Sequence, residues 1–92
     1  MKYFLVVDPA LRDQIRHYPP ELKHKVRQSL ERIVKTPFSG KALVAELRGY
    51  HSYRVGRFRI IYQVLSRDIF LVAIGPRKTI YQKIMSETKR SN

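Results

Sequence analysis

Cysteine and tryptophan are both missing from this 92-residue chain, and only seven of its side chains are acidic. Without cysteine there is no disulfide framework, no thiolate metal site and no thiol nucleophile. The same absence fits a reducing, cytoplasmic setting. No apolar run approaches the ~18 residues of a membrane span, and the first residues lack a signal-peptide pattern, so no membrane partner is expected. Phosphate-binding glycine loops, a serine elbow and metal-spaced clusters are also missing, and His17, His24 and His51 are scattered along the chain. Neither a metal nor another cofactor is therefore expected. With no internal repeat and a length inside the usual ~50–250 residues of a domain, one domain over 1–92 is expected.

What is abundant is positive charge. Nineteen Lys and Arg against seven Asp and Glu leave a formal charge of +12. On a small folded domain such an excess points to a polyanion such as RNA, DNA or an acidic partner. The distribution is uneven. Residues 1–46 carry nine basic and five acidic side chains, whereas residues 47–92 carry ten and two, so the anion site is expected in the second half.

Periodicity divides the chain into elements. Lys2 to Val7 reads as a strand that ends at Asp8-Pro9, where Asp8 can cap a helix and Pro9 suits its first turn. Leu11, Ile15 and Tyr18 then recur at helical spacing. Pro19-Pro20 separates this short helix from a second, whose apolar stripe is Leu22, Val26, Leu30, Ile33 and Val34. Its other face bears Lys23, Lys25, Arg27 and Arg32, read as solvated surface. Thr36-Pro37 ends it, and Phe38 to Lys41 reads as a loop. From Ser52 onward the period is two, with strands on either side of Gly56 and a third, continuously apolar strand from Ile69 to Ile74. Arg77 to Met85 suits a terminal helix, and 86–92 reads as a frayed polar tail. The expected architecture is α+β: a first strand, a two-helix hairpin, and a three-strand antiparallel meander, with both helices on one face and the other open.

The hairpin carries the strongest chemical signal. With Gly56-Arg57 as the loop of a type II′ turn, Val55 faces Phe58 and Arg54 faces Arg59. Tyr53, Val55, Phe58 and Ile60 then point to the helices, and both arginines share the open face. Like charges directly opposed destabilise a sheet, so the pair suggests an anion held between two guanidinium forks. Arg48 before the meander, Arg57 in the turn, and Arg77 and Lys78 after the last strand are candidates for binding the same substrate. Tyr81, four residues after Arg77, shares its helix face and can stack on a base. His51 near the start of the hairpin and Glu46 before it are the acid–base candidates.

Leu47-Arg48-Gly49, Tyr53-Arg54-Val55-Gly56, Arg57-Phe58-Arg59-Ile60-Ile61-Tyr62, and Ile74-Gly75-Pro76-Arg77 with Tyr81 together resemble the RelE/ParE superfamily of toxin–antitoxin toxins. The resemblance covers nearly the whole chain, and it implies the same strand, helix-pair and meander fold. Within that superfamily the RelE branch cleaves messenger RNA in the ribosomal A site, and the ParE branch inhibits DNA gyrase. The RelE branch is implied here, because Arg54, Arg59, Arg77 and Tyr81 match its catalytic positions, a set that ParE-like chains generally lack. The implied reaction is a metal-independent attack of the substrate 2′-hydroxyl on the adjacent phosphate. The implied partners are a cognate antitoxin, mRNA, and the ribosome with its A-site rRNA. A ParE-like gyrase inhibitor is the alternative. One departure matters: of two lysines that RelE carries before the hairpin turn, the first falls on Arg54 and the second on Gly56. Arginine stays protonated, so the base is open among Tyr81, His51, Glu46 and a ribosomal group.

Overall fold

The computed structural model describes residues 2–90, with side chains to Ser86. The first strand, β1, spans Phe4–Val7. Asp8 ends it and caps the first helix, α1 (Pro9–Arg16), accepting the Ala10 N–H at 2.8 Å. Leu11 is buried beneath α1, and the Gln14 amide donates to the Tyr18 hydroxyl and the Ile74 carbonyl, pinning the helix to the sheet. Helix α2 (Pro20–Lys35) starts at the second of the paired prolines. Its fixed φ suits the first turn, where the missing N–H has no helical partner to lose. Val26 and Ile33 are fully buried, and Leu22, Leu30 and Val34 flank them. The Thr36 hydroxyl donates to the Arg32 carbonyl at the helix end.

Where the sequence reads as loop, the chain forms a two-residue strand, β2 (Lys41–Ala42). So short a strand has no period to read. Its position is set from a distance by Tyr62, whose hydroxyl donates to the Pro37 carbonyl at 2.8 Å and accepts the Gly40 N–H at 3.2 Å. A Cβ at residue 40 would lie 2.5 Å from that hydroxyl, so only glycine fits there. A 3₁₀ turn at Ala45–Leu47 then leads into β3 (Tyr50–Val55), β4 (Phe58–Leu65) and β5 (Asp68–Pro76). Gly56 has φ +59° and begins the β3–β4 turn, as the type II′ assignment requires.

The sheet order is β1-β5-β4-β3-β2. The meander is antiparallel as expected, but β1 pairs with β5 in parallel, so the sheet is mixed. Tyr53, Val55, Phe58, Ile60 and Tyr62 face α1 and α2, closing one core around Val26 and Ile33. A bulge in β5 then changes the phase: Ile61 pairs with Ala73 and Tyr62 with Leu71, leaving Val72 as the extra residue. Both Val72 and Ala73 consequently turn to the far side, and Ile74 returns to the main core.

That far side is not open throughout, as the sequence suggests. Helix α3 (Arg77–Arg90) lies across it, burying Ile80 and Ile84 against Leu47, Ile61 and Ala73. Isoleucines four residues apart share one helix face, and each such burial stabilises by roughly 1.5–3 kcal/mol. The helix also continues beyond Met85 to Arg90, through part of the expected polar tail; Ser91 and Asn92 lie outside the described residues.

Candidate active site

Register on the hairpin places the site. Arg54 on β3 is the direct partner of Arg59 on β4, and Arg59 in turn faces Gly75 on β5. This row lies on the α3 side of the sheet, where alternation also puts Tyr50 and Ser52. Gly75 keeps the row low: a Cβ there would sit 3.0 Å from the Ile80 side chain, so α3 settles close to the backbone beside Arg59.

Arg54 is exposed and Arg59 half-buried. Unit charges ~5 Å apart repel by about 3 kcal/mol at an effective dielectric of 20. Arg54 relieves part of this by turning toward the loop, where its Nε donates to the Gly56 carbonyl at 3.3 Å. Among the described residues no carboxylate forms a salt bridge with Arg54, Arg59 or Arg77. Their charge is thus not neutralised by an ion pair among the described residues.

Arg77 opens α3, and its backbone N–H donates to the Arg57 carbonyl at 3.1 Å, which docks the helix start against the hairpin turn. Arg57 and Lys78 are exposed at that junction. One helical turn on, the half-buried Tyr81 shares a hydrogen bond of 2.9 Å with the Ser52 hydroxyl. Ser52 lies two residues before Arg54 on the same face, about 6.6 Å along the strand. The structure therefore assembles Arg54, Arg59, Arg77 and Tyr81 around one corner of the sheet. Ser52, only 2% exposed, is a member that sequence reasoning missed. A small polar residue in an alternating strand carries no chemical signal until its partner is known.

Other candidates fall elsewhere. His51 does not join the arginine face, because the alternation that sends Tyr53 and Val55 to α1 and α2 sends His51 with them. Its ring stacks on Tyr62 with centroids 5.3 Å apart and meets Phe38 edge-on at 5.7 Å. Burial pushes its pKa below the ordinary histidine value, and Nδ1 is buried without a hydrogen-bond partner among the described residues. It cannot act on a ligand held by Arg54 and Arg59. Glu46 is exposed on the 3₁₀ turn and makes no salt bridge with Arg48, which is exposed just after it. Lys25, Arg27 and Arg32 of α2 are exposed, as expected; Lys25 and Arg32, with Glu31 and Lys35, line a groove of about 400 Å³ that Arg54 also borders.

This mixed sheet, with a helix pair on one face and a terminal helix partly covering the other, recurs among solved structures. It is similar to a free-state arginine-to-alanine double mutant of the Escherichia coli toxin RelE, at 17% identity and TM-score 0.74, covering 99% of this chain and 98% of that one. It is also similar to the toxin–antitoxin complex RelBE2 of Mycobacterium tuberculosis, at 22% identity and TM-score 0.72, covering 84% of this chain and 100% of that one. The archaeal RelE–RelB complex of Pyrococcus horikoshii gives 18% and 0.68, covering 84% and 97%. No curated protein matches the chain. The model of the ParE toxin of type II toxin–antitoxin systems, parDE, matches residues 8–81. The chain thus belongs to that toxin family, within the RelE/ParE superfamily.

Proposed function

We propose that this toxin is a ribosome-dependent endoribonuclease that cuts mRNA in the A site and is neutralised by a cognate antitoxin. The observation that carries the reading is the direct pairing of Arg54 with Arg59 on the face that also holds Tyr81. In the proposed reaction the substrate 2′-oxygen attacks the adjacent phosphorus and the bond to the 5′-oxygen breaks. The products are a 2′,3′-cyclic phosphate and a 5′-hydroxyl. Arg59 and Arg77 stabilise the charge gathered on the phosphorane, and Arg54 binds the phosphate or the departing 5′-oxygen. Tyr81, fixed by Ser52, stacks on or orients the reacting nucleotide. The arginines act as charges and not as bases, so the 2′-hydroxyl proton leaves by way of Tyr81 or a ribosomal group, and the departing 5′-oxygen takes up a proton from solvent. Arg48, Arg57 and Lys78 bind flanking phosphates or rRNA. The whole of 1–92 acts as one cytoplasmic domain in this reading.

The antitoxin complexes among the similar structures support the antitoxin partner, and an acidic segment suits a face with this charge. A second reading has its own support, since the matching family model is that of ParE. In it the same chain inhibits DNA gyrase by protein contact. Purified toxin added to ribosomes programmed with mRNA, followed by primer extension, separates the two. The nuclease reading expects new ends within the A-site codon and no effect on gyrase. Inhibition of supercoiling without any mRNA cut selects the ParE reading.

A further inference from the structure

Lys41 lies on β2, the short edge strand, and is exposed. Its partner across the ladder is Ser52, the residue that holds the Tyr81 hydroxyl. Residues directly opposed in an antiparallel pair project to the same side, so Lys41 projects to the arginine face. Its neighbours fix this direction independently. Leu43, two residues on, packs against the cluster of Leu47, Ile61 and Ile80 on that face. Gly40, one residue before, is pressed against the Tyr62 hydroxyl on the opposite face. Lys41 forms no salt bridge among the described residues.

The geometry also limits where a bound strand can run. On the β5 side α3 closes the sheet, with Ile80 packed onto Gly75 beside Arg59. A chain whose phosphate lies between Arg54 and Arg59 can leave across β3 toward β2, passing Tyr81 where it is bonded to Ser52. Strand rise and spacing put the Lys41 Cα about 8 Å diagonally from that of Arg54. Between them in register stands Ser52, with Tyr81 bonded to it.

We infer that Lys41 binds the phosphodiester next to the reacting one, where a single RNA strand crosses the β2 edge. The inference rests on the nuclease reading and adds the path of the substrate to it. Lysine suits the place, because an ammonium on a flexible stem grips a phosphate without demanding a fixed fork geometry.

The test is binding of a short, fully 2′-O-methylated oligoribonucleotide, which cannot be cut, across a salt series. Wild type, Lys41→Gln, Lys41→Arg and, as a control in the far β4–β5 turn, Arg67→Gln are compared. Loss of one phosphate contact on a single strand lowers the slope of log K against log salt by about 0.7. That drop is expected for Lys41→Gln and not for Lys41→Arg or Arg67→Gln. An unchanged slope in Lys41→Gln, or an equal drop in Arg67→Gln, overturns the assignment of Lys41 alone. Wild type with no salt-dependent binding also overturns it, whereas the nuclease reading beneath it falls only if programmed ribosomes yield no new A-site ends by primer extension.

Discussion

The Tyr81 hydroxyl and the Ser52 hydroxyl lie 2.9 Å apart, and this hydrogen bond joins α3 to the strand that carries Arg54. Among the described residues no other hydrogen bond holds the Tyr81 hydroxyl. Ser52→Ala is expected to lower kcat while leaving KM nearly unchanged, because the arginines that bind substrate stay in place. The fold should lose about 1 kcal/mol, the usual worth of one hydrogen bond. Steady-state kinetics and thermal unfolding of the variant check both parts; a rise in KM with kcat intact contradicts the positioning role.

Arg54 and Arg59 are expected to trade stability for activity. Replacing either by glutamine removes a like-charge contact on a mostly exposed face, so the variants should unfold at equal or higher denaturant than wild type. Activity should fall about 10²–10³-fold, the effect of removing one electrostatic donor from a reacting centre. Urea titration beside a cleavage assay measures the two together. A variant that is both less stable and fully active would show that the pair is structural.

His51 gives the fold a dependence on pH. Its folded pKa is lowered by burial, so the unfolded chain takes up a proton more readily than the folded one. Stability is therefore unaffected by this group well above pH 6.5, and it falls as pH drops from there toward the depressed folded value. Replacement by phenylalanine, which keeps a ring against Tyr62 and Phe38, should flatten this decline between about pH 7 and 5. Urea midpoints of both proteins at several pH values test it; parallel declines contradict it.

The parts of this molecule that were legible in the sequence are those governed by local rules. Asp8-Pro9 marks the start of α1 through capping, and Gly56 fixes the β3–β4 register through its positive φ, which alone brings Arg54 opposite Arg59. What escaped depends on distant partners. β2 exists because Tyr62 holds Gly40, twenty-two residues away. The continuous apolar run from Ile69 to Ile74 hides the bulge at Val72, since every residue there is compatible with either face. Ile80 and Ile84 have the spacing of a buried helix face, yet only the sheet reveals that α3 covers what otherwise looks open. His51 was misassigned as an acid–base candidate although its phase was readable: it alternates with Tyr53 and Val55 and so lies on their face, stacked on Tyr62.

In the proposed mechanism a paired-arginine face promotes attack by the substrate's own 2′-hydroxyl. It is tested most directly on programmed ribosomes carrying mRNA with and without a single 2′-deoxy nucleotide at the A-site cleavage position. The expected result is cutting of the all-ribose message to a 2′,3′-cyclic phosphate end, no cutting at the deoxy position, and loss of about 10²–10³-fold in rate with Arg59→Gln. Cleavage at the deoxy position, or a wild-type toxin that leaves both messages intact, would contradict the account.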